Sequence, residues 1–172
     1  AVPLKKMKYV GTGNHLWRDP LNWQLWNGTT WIANTTGCVP DPFTDVVVDI
    51  SSFPPTGARW IAIDSLSSCR DLIWDDATTL GATMRIYADL HIFGDFELGA
   101  NMNPFQGSQV IYLHGQNNVL KSKGVQLPDI TFWKFSDYTI MDDLNAKNVR
   151  GWVFSMIRAS NININTVIFS LS

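Results

Sequence analysis

The sequence predicts an all-β fold, a parallel β-helix-like solenoid behind a Trp-rich N-terminal cap, and three observations carry that prediction. The first is the stretch from Leu72 to Phe135. Its short period-two alternations (84–86, 90–92, 96–98, 110–112 and 130–132) are broken every few residues by Gly, Asn, Asp or Pro. The second is that these breaks lack the two-residue Asn-Gly or Asp-Gly turns that announce hairpins, so stacked rungs fit better than a meander. The third is acid usage: Glu97 is the only glutamate, whereas aspartates sit in nearly every turn. Glu favours helices and Asp bonds its own backbone in turns, so the bias points to a turn-rich chain.

Taken in order, residues 1–45 read as a cap and loop and residues 46–172 as the rungs of one folding unit. Lys5, Lys6 and Lys8 make a small basic start whose plain reading is a solvated terminus. Residues 9–31 hold four of the eight tryptophans, Trp17, Trp23, Trp26 and Trp31. An open solenoid end has an apolar cross-section to hide, so an aromatic lid is the first reading and an exposed sugar-stacking platform the second. Within this cluster, Asp19-Pro20 starts a turn whose backbone the Asn22 amide can satisfy. The Pro/Asp loop from Cys38 to Asp45 leads into a first strand at 46–50, followed by strands at 60–63 and 68–74. Residues 142–153 contain Asn145, Asn148 and Gly151, which argue against a helix there. The chain ends in an alternation of Asn and Ile and then an apolar strand, Val167 to Phe169. A terminal rung needs a polar cap, so this bare edge predicts a piece of something longer, with pairing back into the sheet as the alternative.

A length of 172 residues with 45% hydrophobic content suits one domain with a real core. Net charge is −2, so there is no overall basic field to attract nucleic acid. No apolar run approaches the roughly 20 residues needed for a transmembrane segment. Cys38 and Cys69 lack the CxxC spacing of metal or redox sites and are left as either a disulfide or two separate thiols. Asp19, Asn22, Asp41 and Asp45 could supply oxygens to calcium, but their spacing matches no calcium loop, and ordinary Asx turns are the better reading; no other cofactor is expected.

The order of several short motifs adds a resemblance. A Trp-x-Asp-Pro-x-Asn-Trp element (17–23) precedes a Val-Pro-Asp loop and strand (39–49) and a Cys-Arg-Asp-Leu-Ile-Trp strand (69–74). Leu-Pro-Asp-Ile-Thr-Phe (127–132) and Asp-Asp-Leu (142–144) follow. This resembles the repeated β-solenoid domains of large secreted or cell-surface proteins of Bacteroidota, many exported by the type IX secretion system and some acting as gliding-motility adhesins. The resemblance implies an extracellular, surface-located module with no catalytic residues to carry over. Its implied partners are the remainder of a larger polypeptide, the secretion machinery and surface polysaccharide.

The residues that would hold a polysaccharide are outward tryptophans, with Trp60, Trp74, Trp133 and Trp152 as candidates, aided by Asp95 and Glu97. A rigid stalk without ligand is the structural alternative. A β-helical polysaccharide lyase or hydrolase is the catalytic one, and it would rest on Asp95 and Glu97, which share a face two residues apart. Adjacent pairs such as Asp75-Asp76 and Asp142-Asp143 point to opposite faces. Parity places Tyr87, Asp89, His91, Asp95 and Glu97 together on the outside, with Ile86, Leu90, Ile92, Phe96 and Leu98 inside, an ordinary solvated face. The three histidines sit in unrelated sequence contexts, and His114 beside Gly115 reads as a turn residue.

Overall fold

A computed structural model describes residues 5–11, 13–76, 81–152, 155–159, 162–164 and 167–170. The chain opens with β1 (Lys5–Tyr9), then a hairpin of β2 (Trp23–Trp26) and β3 (Trp31–Ala33). Three strands per coil follow. The first coil is β4 (Thr44–Val48), β5 (Trp60–Ile63) and β6 (Ser67–Cys69); the second is β7 (Leu72–Trp74), β8 (Thr83–Ile86) and β9 (Leu90–Ile92). The third is β10 (Phe96–Glu97), β11 (Gln106–Gly107) and β12 (Val110–Leu113). In the fourth, β13 (Asn118–Lys121) and β14 (Asp129–Phe132) flank a lone bridge from Leu127 to Ala146. Then come β15 (Asp137–Ile140), β16 (Leu144–Ala146) and β17 (Val149–Trp152), and finally β18 (Met156–Ala159), β19 (Ile162–Ile164) and β20 (Val167–Ser170).

Strands of successive coils pair in parallel, broken only between β11 and β16, which makes a parallel β-solenoid of about five turns. Sheet A runs β18-β15-β13-β10-β7-β4-β1-β2-β3, sheet B runs β11-β8-β5, and sheet C runs β20-β17-β14-β12-β9-β6. The repeat shortens along the chain, from 26 residues between the partners Val46 and Leu72 to 19 between Ile140 and Ala159. The expected inward set holds, since Ile86, Leu90, Ile92, Phe96 and Leu98 are all fully buried. Successive coils stack these residues into one continuous apolar core with Val46, Leu72, Ile111, Leu120, Ile130 and Phe132.

Two expectations about the strands need correction. The single strand at 68–74 is two strands, β6 and β7, because the chain turns a corner at Arg70-Asp71. The outward residues from Tyr87 to Glu97 do not share one face either. A second corner at Phe93-Gly94 sends His91 to sheet C and Glu97 to sheet A. The Phe93-Gly94 corner is tight: a Cβ on Gly94 would lie 1.9 Å from Asp71 Oδ1 and 3.1 Å from the Arg70 carbonyl oxygen, so a larger residue must displace the Asp71 carboxylate. Tyr138 locks the same corner from inside, its hydroxyl donating to the Gly94 carbonyl at 2.6 Å.

The N-terminal tryptophans divide between the two roles considered for them. Trp17 and Trp23 are buried, packed edge to face at 4.9 Å, and Tyr9 extends the group to Phe53 and Trp74. This is an aromatic lid over the solenoid interior. Asp19 caps the short 3-10 turn at 20–22, and the buried Asn22 amide donates to Asn14 Oδ1 and the Leu16 carbonyl. Trp26 and Trp31 instead pair at 5.1 Å on the outside of the β2–β3 hairpin. The cap is not separate from the rungs, because β1 already pairs in parallel with β4. At the far end β20 pairs with β17, while the expectation of an uncapped edge concerns side chains and terminal residues outside the described residues.

Candidate ligand-binding face

In a parallel in-register sheet, strands lie about 4.8 Å apart, so outward aromatic residues at equal register must meet ring to ring. Sheet C places two such columns side by side. One runs His91, Tyr112, Thr131, Arg150, as the strand register dictates. The other lies one pleat further along each strand and runs Phe93, His114, Trp133, Trp152. Its ring centroids follow at 4.5, 5.3 and 5.0 Å.

The two ends of this ladder differ in geometry. Phe93 and His114 stack nearly parallel, with an interplanar angle of 14°, as do His91 and Tyr112 at 18°. Trp133 is tilted 42° to His114 and 46° to Trp152. Exposure does not follow tilt, since Phe93 in the parallel stack is 38% exposed. Trp133 and Trp152 remain 37% and 36% exposed. Tyr112 meets Trp133 edge to face at 5.6 Å and ties the columns together.

His91 and His114, 23 residues apart in sequence, are joined across adjacent coils by a 2.8 Å contact between His91 Nδ1 and His114 Nε2. Two histidines from unrelated sequence contexts thus meet in space, with His114 lying just past the end of β12. Burial pushes the His114 pKa down to about 4, with His91 adding to the effect, and burial lowers that of His91 as well. Both rings are neutral at pH 7, so one nitrogen donates and the other accepts.

The charged groups on this side are two cations, Arg150 and Lys134, and two carboxylates, Asp129 and Asp89. Arg150 is exposed, and its nearest carboxylate among the described residues is Asp129, at 3.6 Å. Asp129 Oδ1 also accepts from Asn148 Nδ2 at 2.7 Å. Lys134 follows Trp133 and lies 5.1 Å from the Phe135 ring. The other carboxylate on this side, Asp89, accepts the Val110 amide proton at 3.2 Å.

Of the six sequence candidates, only Trp133 and Trp152 come together. Trp74 leaves the set: it is 1% exposed, packs on Phe53 and belongs to the core. Trp60 lies in sheet B, with the Arg85 guanidinium 4.3 Å above its ring and His15 at 4.5 Å. Asp95 and Glu97 face out from sheet A. Asp95 accepts from the Val119 amide at 2.8 Å and from Asn118, and Glu97 pairs with Lys121 at 2.9 Å. The sequence candidates do not include Phe93, Tyr112 or His114, and His91 enters them only as an outward neighbour of Asp95 and Glu97.

The calcium candidates do not converge. Asp19 caps its turn, Asn22 is buried in the same turn, Asp41 binds Thr44 and Lys5, and Asp45 is chelated by Arg70. Among the described residues no three His, Cys, Asp or Glu side chains gather into a metal-holding group. The disulfide alternative also fails. Both thiols are free, with Cys69 pointing into the core from β6 and Cys38 lying in the surface loop before β4. Comparison with protein-family models, curated proteins and solved structures found no match.

Proposed function

We propose that this chain is a non-catalytic module of an extracellular, cell-surface adhesin that holds polysaccharide along the outer face of sheet C. The observation that carries this reading is the adjacency of two half-open indoles, Trp133 and Trp152, at the end of a ring ladder aligned with the solenoid axis. Sugar rings offer apolar C–H faces that stack on indoles, and a ladder spanning several coils suits an extended polymer better than a single sugar. The resemblance to Bacteroidota surface proteins supplies the setting: export by a type IX route and attachment to the rest of a larger polypeptide, with a role in adhesion or gliding.

Trp133→Ala and Trp152→Ala should each weaken retention on immobilised polysaccharide while leaving Tm within a few degrees. Unchanged retention with a large loss of stability would sink the proposal. That outcome would favour the stalk reading, which the parallel stacks of Phe93 on His114 and His91 on Tyr112 support, because such contacts fasten coil to coil. The catalytic alternative draws less support, since Asp95 and Glu97 are both engaged in bonds that hold sheet A together.

A further inference from the structure

Building on that polysaccharide reading, we infer that the polymer held on sheet C is acidic, with carboxylate or sulfate groups on its sugars. Net charge is −2 over the whole chain, yet the accessible charges beside Trp133 and Trp152 are positive. Arg150 stands one column over from the ladder with its side chain 45% exposed, and its contact to Asp129 at 3.6 Å is beyond hydrogen-bond reach. A guanidinium carries five donors in a planar fork that fits a carboxylate or sulfate in two-point contact, so Arg150 is left with donors to offer. Lys134 adds a second cation, with no carboxylate within 4.0 Å among the described residues. Of the acids on the same side, Asp129 lies 3.6 Å from Arg150 and accepts from Asn148, and Asp89 accepts the Val110 amide proton at the far end from Trp152.

The opposite arrangement on sheet A sharpens the inference. There Glu97, Asp45 and Asp137 are matched by Lys121, Arg70 and Arg158, leaving a neutralised surface. Sheet C stacks its open indoles along successive coils beside Arg150, whereas the outer indoles of sheet A, Trp26 and Trp31, sit on the β2–β3 hairpin beside Lys6 and Lys8. Its aromatic ladder accounts for the sugar faces and its cations for charged substituents spaced along the same axis.

The test measures retention of the whole chain on immobilised polygalacturonate and on a neutral β-glucan, across a range of salt concentrations. At low salt, polygalacturonate should bind about tenfold more tightly than the glucan, and the advantage should vanish as salt screens the contact. Arg150→Gln, at an exposed position, should remove most of that advantage and leave glucan binding unchanged, whereas Trp133→Ala should weaken both. Equal retention of the two polymers, or an Arg150→Gln variant that still prefers polygalacturonate, overturns the acidic specificity while the polysaccharide reading stands. Retention of neither polymer overturns both, and equally tight retention of single-stranded DNA would replace the acidic polysaccharide with a nucleic acid.

Discussion

The outer faces of sheets A and C rest on the same interior and obey the same register, yet their chemistry diverges. On sheet A the outward columns are ionic: Arg70 bridges Asp45 and Asp71, Lys121 meets Glu97, and Arg158 meets Asp137. On sheet C they are rings and histidines. Ion pairs between neighbouring coils neutralise a surface and leave little for a ligand to recognise. Ring ladders join coils as well, but they leave apolar area open to water, at Phe93 as at Trp133 and Trp152. The same repeat can therefore give one closed side and one receptive side, with the difference confined to alternate residues of the strands.

If the difference lies only outside, the interior should be indifferent to it. Phe96→Ala, under sheet A, and Phe132→Ala, under sheet C, should each cost about 3–5 kcal/mol, measured by denaturant unfolding, because both rings are fully buried. Clearly unequal losses would show that the sheets differ in their core contribution as well. Gly94→Ala tests the corner between them. The added methyl meets Asp71 Oδ1, and we expect a loss of about 1–3 kcal/mol; an unaffected Tm would mean the corner is pliable.

The interior was legible in the sequence and the faces were not, for a physical reason. Alternation at 84–98 named the buried residues correctly because burial needs only a local period of two. Assigning outward residues to a face also needs the corners; the one at Phe93-Gly94 leaves the alternation intact from Ile92 to Phe96, while the one at Arg70-Asp71 shifts it by a single residue between Cys69 and Leu72. Thus Asp95 and Glu97 seemed to accompany His91. The His91–His114 contact was hidden for a related reason, since coils of changing length give no fixed period from which to align the columns. Short strands such as β11 at Gln106–Gly107 carry no apolar signal at all.

A smaller effect tests how much the ionic face contributes. Asp45→Asn removes one arm of the Arg70 bridge while Asp71 remains 3.2 Å from the guanidinium. Both groups are partly exposed, so the loss should be about 1 kcal/mol or less, or roughly 2–4 °C in Tm. A loss as large as that of Phe96→Ala would mean that ion pairs, rather than the core, hold sheet A to its neighbours.

The finest distinction is the sign of the pH response. His114 titrates near 4 in the folded chain against an ordinary 6.5, so the native state takes up a proton less readily than the unfolded one. Its contribution to stability is complete above about pH 6.5 and is lost as pH falls toward 4. Asp71 behaves oppositely. Burial, with Asp45 and Asp95 close by, raises its pKa above 3.8, so the native state gains relative stability as that carboxylate becomes protonated. His114→Phe keeps a ring against Phe93, and Asp71→Asn keeps an acceptor for the Asp95 amide. Unfolding free energies measured between pH 7.5 and 4.5 should fall less steeply for His114→Phe than for the parent chain. For Asp71→Asn the fall should be steeper at the acid end, where the parent gains from protonation. Slopes that move the same way in both variants would dissolve the contrast, because the two sheets would then respond to acid as one surface.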